Sequence, residues 1–118
     1  MRILLIEDHA DTAEMFTAVL KLDGHDVRTV HSGRAGVAEA TRNRPEAILS
    51  DIGLPDLNGY EIAKHLRSRD EFKNTLMIAI TGYTQPLDVV EALGAGFNHH
   101  LPKPVDWEKL RGLLFSRT

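Results

Sequence analysis

Four short apolar runs of this 118-residue chain each lead into residues that could bind a metal ion or a phosphoryl group. Glu7, Asp8 and Asp51 offer carboxylates, Thr81 a hydroxyl and Lys103 an ammonium. Carboxylates brought together repel one another unless a cation neutralises them, and Mg²⁺ prefers oxygen ligands. An aspartate can also attack phosphorus, while a metal and a lysine offset the charge of the phosphoryl group. These residue types indicate metal-assisted phosphoryl transfer, provided that the fold brings them together.

The elements that would position these residues alternate along the chain. Apolar runs predict five strands, at residues 3–6, 27–30, 47–50, 76–80 and 97–101. Apolar residues at helical spacing predict helices over about 12–22 and 34–42. Three more helices are predicted after Asn58, around Val89 to Leu93, and from Trp107 to Leu114. Gly24 is predicted to end the first helix and Gly94 the fourth.

Strict alternation of strands and helices implies an α/β fold with a parallel sheet covered on both faces. The first, third and fourth strands are almost wholly apolar, as central strands are, whereas the second and fifth contain polar residues typical of edges. This pattern favours a single doubly wound five-stranded sheet of order 2-1-3-4-5. In such sheets ligands bind at the carboxyl ends of the strands, between strands one and three. Asp8 and Asp51 fall at that edge.

Over essentially its whole length, the chain resembles the CheY-like receiver domains of bacterial two-component response regulators. The matching motifs are Glu7-Asp8, Asp51-Ile52-Gly53-Leu54-Pro55, Asn58-Gly59-Tyr60, Thr81-Gly82 and Lys103-Pro104. The resemblance implies a flavodoxin-like (βα)5 receiver fold and one domain over residues 1–118. It also implies a regulatory domain that assists its own phosphorylation and dephosphorylation, and not an enzyme. The phosphoryl donor would be a histidine kinase or a histidine phosphotransfer protein.

The resemblance also implies a role for each matching residue. Asp51 would be the phospho-acceptor, and Thr81 and Lys103 would bond phosphoryl oxygens. Mg²⁺ or Mn²⁺ would be bound by Asp8, by Asp51 and by the backbone carbonyl of Gly53. Glu7 would act on the metal partly through water. The Lys103-Pro104 peptide bond is expected to be cis.

Three positions depart from the commonest family pattern. Glu7 stands where Asp is more usual, Gly53 has no side chain, and His100 replaces the usual aromatic switch residue. The predicted switch is therefore Thr81 with His100. It would act on the surface of the fourth helix, fifth strand and fifth helix, which would signal to an output domain or a downstream target. The domain would be a monomer or a phosphorylation-dependent dimer.

Composition and net charge argue against several other functions and locations of the protein. The net charge of −3 argues against direct binding to nucleic acid. No apolar run is long enough to span a membrane, and the absence of cysteine fits a cytoplasmic location. The six histidines, which include His9, show no convincing ligand spacing and are predicted to be surface residues.

Two alternative functions remain open on the sequence. The first is an aspartate-nucleophile phosphohydrolase of the haloacid-dehalogenase type, which needs a second Asp two residues after the nucleophile, where this chain has Gly53. The second is a flavodoxin-like binding module, which needs a phosphate-binding loop after strand one. Glu7 and Asp8 occupy that place and would repel a phosphate unless a metal intervened.

Overall fold

The computed structural model describes residues 1–82 and 86–116; residues 83–85 and 117–118 of the predicted domain lie outside the described residues. The strands are β1 (Arg2–Ile6), β2 (Asp26–Val30), β3 (Ala47–Ser50), β4 (Leu76–Thr81) and β5 (His99–Pro102). The helices are α1 (Ala10–Leu22), α2 (Gly33–Asn43), α3 (Gly59–Arg67), α4 (Pro86–Ala95) and α5 (Trp107–Phe115). A short 3₁₀ helix at Asp70–Phe72, which the sequence did not predict, lies between α3 and β4.

All five strands are parallel, and their order is β2-β1-β3-β4-β5. The predicted fold class and strand order are therefore confirmed. The polar strands β2 and β5 lie at the edges, and β1 lies beside β3. The doubly wound order thus places the end of β1 next to the end of β3, where the sequence predicted the site.

Alternation along each strand divides the core into two clusters. In β1, Leu4 and Ile6 pack in one cluster with residues of α2, α3 and α4. Ile3 and Leu5 pack in the other, with residues of α1 and α5. Successive side chains of a strand point to opposite faces, so a strand buried on both faces must be apolar throughout. Within the described part of the chain, no helix combines the length and the apolar character needed to cross a bilayer.

The end of α4 corrects one prediction. Gly94 lies inside the helix, and Gly96 follows its last residue with a φ of +121°. A side chain is strained at that φ, and a Cβ atom at Gly96 would lie 2.5 Å from Cγ of Arg67. The Arg67 guanidinium donates to the Gly96 carbonyl at 2.9 Å and so holds this turn against α3. The predicted stop at Gly24, where φ is +89°, is confirmed.

His25 makes folding sensitive to mild acid. Its Nδ1 atom accepts a hydrogen bond from the Met1 ammonium at 3.1 Å. Burial and the positive Met1 ammonium lower the pKa of His25 from 6.5, although Asp23 opposes the shift. Protons therefore bind the unfolded chain first, and we expect this contribution to stability to be complete above about pH 6.5 and to be lost as pH falls below it.

Urea unfolding at neutral and mildly acidic pH would measure the effect. His25→Gln should lose less stability than the wild type as pH falls, whereas a matched change at the exposed His65 should not alter the loss. Equal acid losses in the wild type and His25→Gln would contradict this account.

Candidate functional site

Backbone pairing brings the two acidic segments to one edge of the sheet. The amide of Asp51 donates to the carbonyl of Ile6 at 3.0 Å, and the amide of Glu7 donates to the carbonyl of Val30 at 3.0 Å. The residues after β1 and β3 are thereby held side by side. Oxygen atoms of Glu7, Asp8 and Asp51 lie within 4.8 Å of one another, together with a ring nitrogen of His9. The predicted convergence of the three carboxylates is confirmed.

Lys103 reaches this carboxylate cluster from the segment after β5. Its Nζ atom donates to Oε1 of Glu7 at 2.7 Å and to Oδ2 of Asp51 at 2.9 Å. Its backbone amide donates to the carbonyl of Thr81 at 3.0 Å, which fixes the lysine beside the end of β4. The expected cis Lys103-Pro104 bond is also present. The ammonium therefore lies where it can offset negative charge at Asp51.

Burial of the charged side chains strengthens the electrostatic interactions between them. The side chains of Glu7 and Asp51 are only 4% and 9% exposed, and that of Lys103 is 26% exposed. Burial alone would lower the pKa of the Lys103 ammonium, but the hydrogen bonds to Glu7 and Asp51 outweigh it and hold the pKa above its usual value. One ammonium thus pairs with two of the three carboxylates, so negative charge remains to attract a cation.

Asp8 provides the test of whether a metal fits. Its Oδ1 atom is buried, yet it accepts no hydrogen bond from the described residues. A buried carboxylate oxygen without a donor is costly unless something else binds it. Carboxylate oxygens in this arrangement are the ligands that a hard divalent cation takes in proteins. The residues present therefore fit such a cation.

The other predicted site residues lie on β4, on β5 and in the loop after β3. Thr81 ends β4 and is 1% exposed. Gly53 is exposed in the loop after β3, and its amide donates to Oδ1 of Asp51 at 3.2 Å. His100 is half-buried on β5, paired in register with Ala79.

His9 is a neighbour of the carboxylate cluster that the sequence prediction did not single out. Its Nδ1 atom lies 3.3 Å from Oε2 of Glu7 and 3.4 Å from Oδ1 of Asp8. The prediction of an exposed side chain is correct, since it is 70% exposed, but judging the spacing of the histidines did not reveal that Glu7 and Asp8 lie beside it. The adjacent acids were the available signal.

Backbone hydrogen bonds hold the loop between β3 and α3 in place, and with it Asp51. Gly59, the first residue of α3, donates its amide to the carbonyl of Ile52 at 2.9 Å. The carboxylate of Asp56 accepts from the amides of Gly33 and Arg34 at 2.8 and 2.9 Å, and so caps α2. These backbone hydrogen bonds lower the pKa of Asp56 and favour its charged form.

Comparison with known proteins identifies close relatives. The family model described as the response regulator receiver domain matches residues 3–115. Protein PilH of Pseudomonas aeruginosa is 35% identical over 109 residues, which cover 92% of this chain and 90% of PilH.

Many solved structures share the fold, and two of them illustrate it. The receiver domain of sensor histidine kinase PA1611 from Pseudomonas aeruginosa has a TM-score of 0.89 at 33% identity, over 98% of this chain and 94% of that one. A magnesium ion is coordinated in its active-site cleft. Chemotaxis response regulator CheY4 of Vibrio cholerae has a TM-score of 0.90 at 28% identity, over 99% and 98% of the two chains.

Proposed function

The chain belongs to the response regulator receiver domains of two-component systems, and we propose that it accepts a phosphoryl group on Asp51. Receiver domains are regulatory modules. The observation that carries the proposal is the position of Asp51, which directly follows the central strand β3, lies beside Glu7 and Asp8, and is hydrogen-bonded to Lys103 at 2.9 Å. The proposal treats residues 1–118 as one receiver domain.

Mg²⁺, or Mn²⁺ in its place, is the cofactor that we propose. Asp8, Asp51 and the backbone carbonyl of Gly53 would hold the ion directly, and Glu7 would contribute through water. The cation would offset the charge of the phosphoryl oxygens during transfer. Oδ1 of Asp8, which is buried and accepts no hydrogen bond from the described residues, supports this assignment.

In the proposed reaction, a carboxylate oxygen of Asp51 attacks the phosphorus of a phosphohistidine. A P–O bond forms as the P–N bond breaks, and the electron pair of the P–N bond stays on the imidazole of the donor histidine, which is the leaving group. Lys103 already contacts Oδ2 of Asp51, so its ammonium needs only a small movement to pair with a phosphoryl oxygen. The product is an acyl phosphate on Asp51. The donor would be a histidine kinase or a histidine phosphotransfer protein.

Thr81 and His100 are proposed to transmit the change. Thr81 lies at the end of β4, where its hydroxyl could bond a phosphoryl oxygen. Nε2 of His100 is buried and has no hydrogen-bond partner among the described residues, so a different ring position would carry little hydrogen-bonding cost. The response would alter the surface formed by α4, β5 and α5. An output domain or a downstream target would bind there, or a second copy in a phosphorylation-dependent dimer.

Direct binding to nucleic acid and to membranes is not part of this proposal. The proposal does include a cytoplasmic location, because a kinase that takes its phosphoryl group from cellular ATP must share a compartment with its acceptor. Family membership favours the receiver over both alternative functions. A phosphohydrolase of the haloacid-dehalogenase type would also need an Asp at position 53, where this chain has Gly53.

Phosphoryl uptake from a small-molecule phosphodonor tests the proposal. The wild type should take up one phosphoryl group, measured by intact mass, and uptake should stop when EDTA removes the divalent cation. Asp51→Asn should take up none. Asp70→Asn, which changes an exposed aspartate of the 3₁₀ helix, is the matched control and should behave as the wild type. Undiminished uptake by Asp51→Asn would contradict the proposal.

A further inference from the structure

His9 occupies an unusual place beside the carboxylates. It is the N-cap residue of α1, yet its side chain makes no capping hydrogen bond. Its ring instead turns toward the end of β1, where Nδ1 lies 3.3 Å from Oε2 of Glu7 and 3.4 Å from Oδ1 of Asp8. Its own backbone amide also donates to Oε2 of Glu7, at 3.1 Å. The segment from Glu7 to His9 thus presents three different ligand side chains to one point.

The separation between His9 and Asp8 suits two ligands of one metal ion. Two ligands of a tetrahedral metal with bonds of about 2.0–2.1 Å lie about 3.3–3.4 Å apart. The 3.4 Å between Nδ1 of His9 and Oδ1 of Asp8, a direct ligand of the proposed site, agrees with that spacing. Oε2 of Glu7 already accepts the His9 amide, and Glu7 would still act through water. Oδ1 of Asp8 is also buried and accepts no hydrogen bond from the rest of the described chain, so its lone pairs remain available. The side chain of His9 is 70% exposed, so an ion from solvent can reach it, and binding would replace the contact of Nδ1 with Oε2 of Glu7.

The donor set decides which cation this arrangement favours. Carboxylates and water suit Mg²⁺, whereas imidazole suits Zn²⁺ and other borderline transition metals. We propose that His9 is a ligand of the metal site and gives it a preference for Zn²⁺-like cations over Mg²⁺. This inference rests on the metal site of the proposed function and adds a nitrogen ligand to its oxygens. It predicts that the cation bound by the domain depends on which metals are available.

NMR titration of the uniformly ¹⁵N-labelled protein with Mg²⁺ and with Zn²⁺ tests the inference. The amides of Asp8 and Gly53 report on the site, and the ring nitrogens of His9 report on ligation. Zn²⁺ should shift the resonances of these amides and of the His9 ring nitrogens. Mg²⁺ should shift the amide resonances alone. In His9→Gln the affinity for Zn²⁺ should fall about tenfold or more, while that for Mg²⁺ should change by less than about twofold.

His31→Gln is the matched control. Nδ1 of His31 lies 3.0 Å from the main-chain oxygen of Glu7, but its ring is not among the clustered ligand atoms. This variant should keep the wild-type preference for Zn²⁺.

The outcomes separate this inference from the proposed function. Unchanged Zn²⁺ affinity in His9→Gln, or His9 ring nitrogens that Zn²⁺ leaves unmoved, would overturn the role of His9. A normal Mg²⁺ response in the same experiment would leave the proposed function standing. Site amides that respond to neither cation would overturn the metal site and the role of His9 together.

Discussion

Lys103→Ala is expected to lower the free energy of unfolding by about 2 kcal/mol in the absence of divalent metal. The substitution leaves the buried carboxylates of Glu7 and Asp51 facing each other without the ammonium that now lies 2.7 and 2.9 Å from them. Breaking a fully buried pair costs about 3–5 kcal/mol, and the 26% exposure of the Lys103 side chain reduces that figure. Urea unfolding in EDTA would measure the loss.

Mg²⁺ should offset part of that loss. A cation that binds only the folded state stabilises it by mass action, and it would replace the missing positive charge. The rise in melting temperature on adding Mg²⁺ should therefore be larger for Lys103→Ala than for the wild type. Lys109→Ala, at an exposed lysine of α5, should show neither effect. A Lys103→Ala variant as stable as the wild type in EDTA would show that the ammonium does not compensate the carboxylates.

Gly59→Ala is expected to destabilise the domain by about 2–3 kcal/mol and to weaken Mg²⁺ binding at the carboxylate cluster. A Cβ atom at this position would lie 2.7 Å from the carbonyl oxygen of Asp51 and 2.9 Å from Cα of Ile52. Both are backbone atoms of a buried segment, so neither can move away without shifting Asp51. The same displacement should slow phosphorylation, because the acceptor leaves its position beside Lys103.

A glycine with free space around it provides the control. Gly112 lies within α5, and nothing lies within 4 Å of a Cβ atom built there. Gly112→Ala should therefore be as stable as the wild type, or more stable by about 0.5–1 kcal/mol, because alanine favours the helix. Urea unfolding and Mg²⁺ titration of both variants would measure the contrast. If Gly59→Ala matched Gly112→Ala in both, the close packing of α3 against Asp51 would be irrelevant to the site.

The sheet order was predictable because burial constrains composition. A strand covered on both faces needs apolar residues at every position, which identified β1, β3 and β4 as central. Once the order was known, the ends of β1 and β3 had to be neighbours, and the meeting of Asp8 with Asp51 followed. Helix ends were less predictable: Gly94 and Gly96 are equally plausible stops in the sequence. The observed end follows from the positive φ of Gly96 and its contact with Arg67, a residue of another helix.

The fine structure of the site could not be read from the sequence. Glu7 and Lys103 are 96 residues apart, and only the packed fold shows that the ammonium bonds both Glu7 and Asp51. His9 was passed over because only the spacing of the histidines was judged, and not the acids beside it. Its orientation is set by the turn between β1 and α1, where its backbone amide bonds the carboxylate of Glu7. The residue types were enough to predict metal binding and phosphoryl transfer. Which side chains hydrogen-bond to one another depends on the local geometry of the fold.

Chemical mapping of the phosphorylated residue tests the central claim most directly. The protein would be treated with a small phosphodonor and Mg²⁺, and the acyl phosphate reduced with borohydride, which converts a phosphorylated aspartate to homoserine. Peptide sequencing would then locate the change. We predict homoserine at position 51 alone. Homoserine at position 8, or a stable phosphoryl group on any histidine with Asp51 unchanged, would contradict the assignment of Asp51 as the phospho-acceptor.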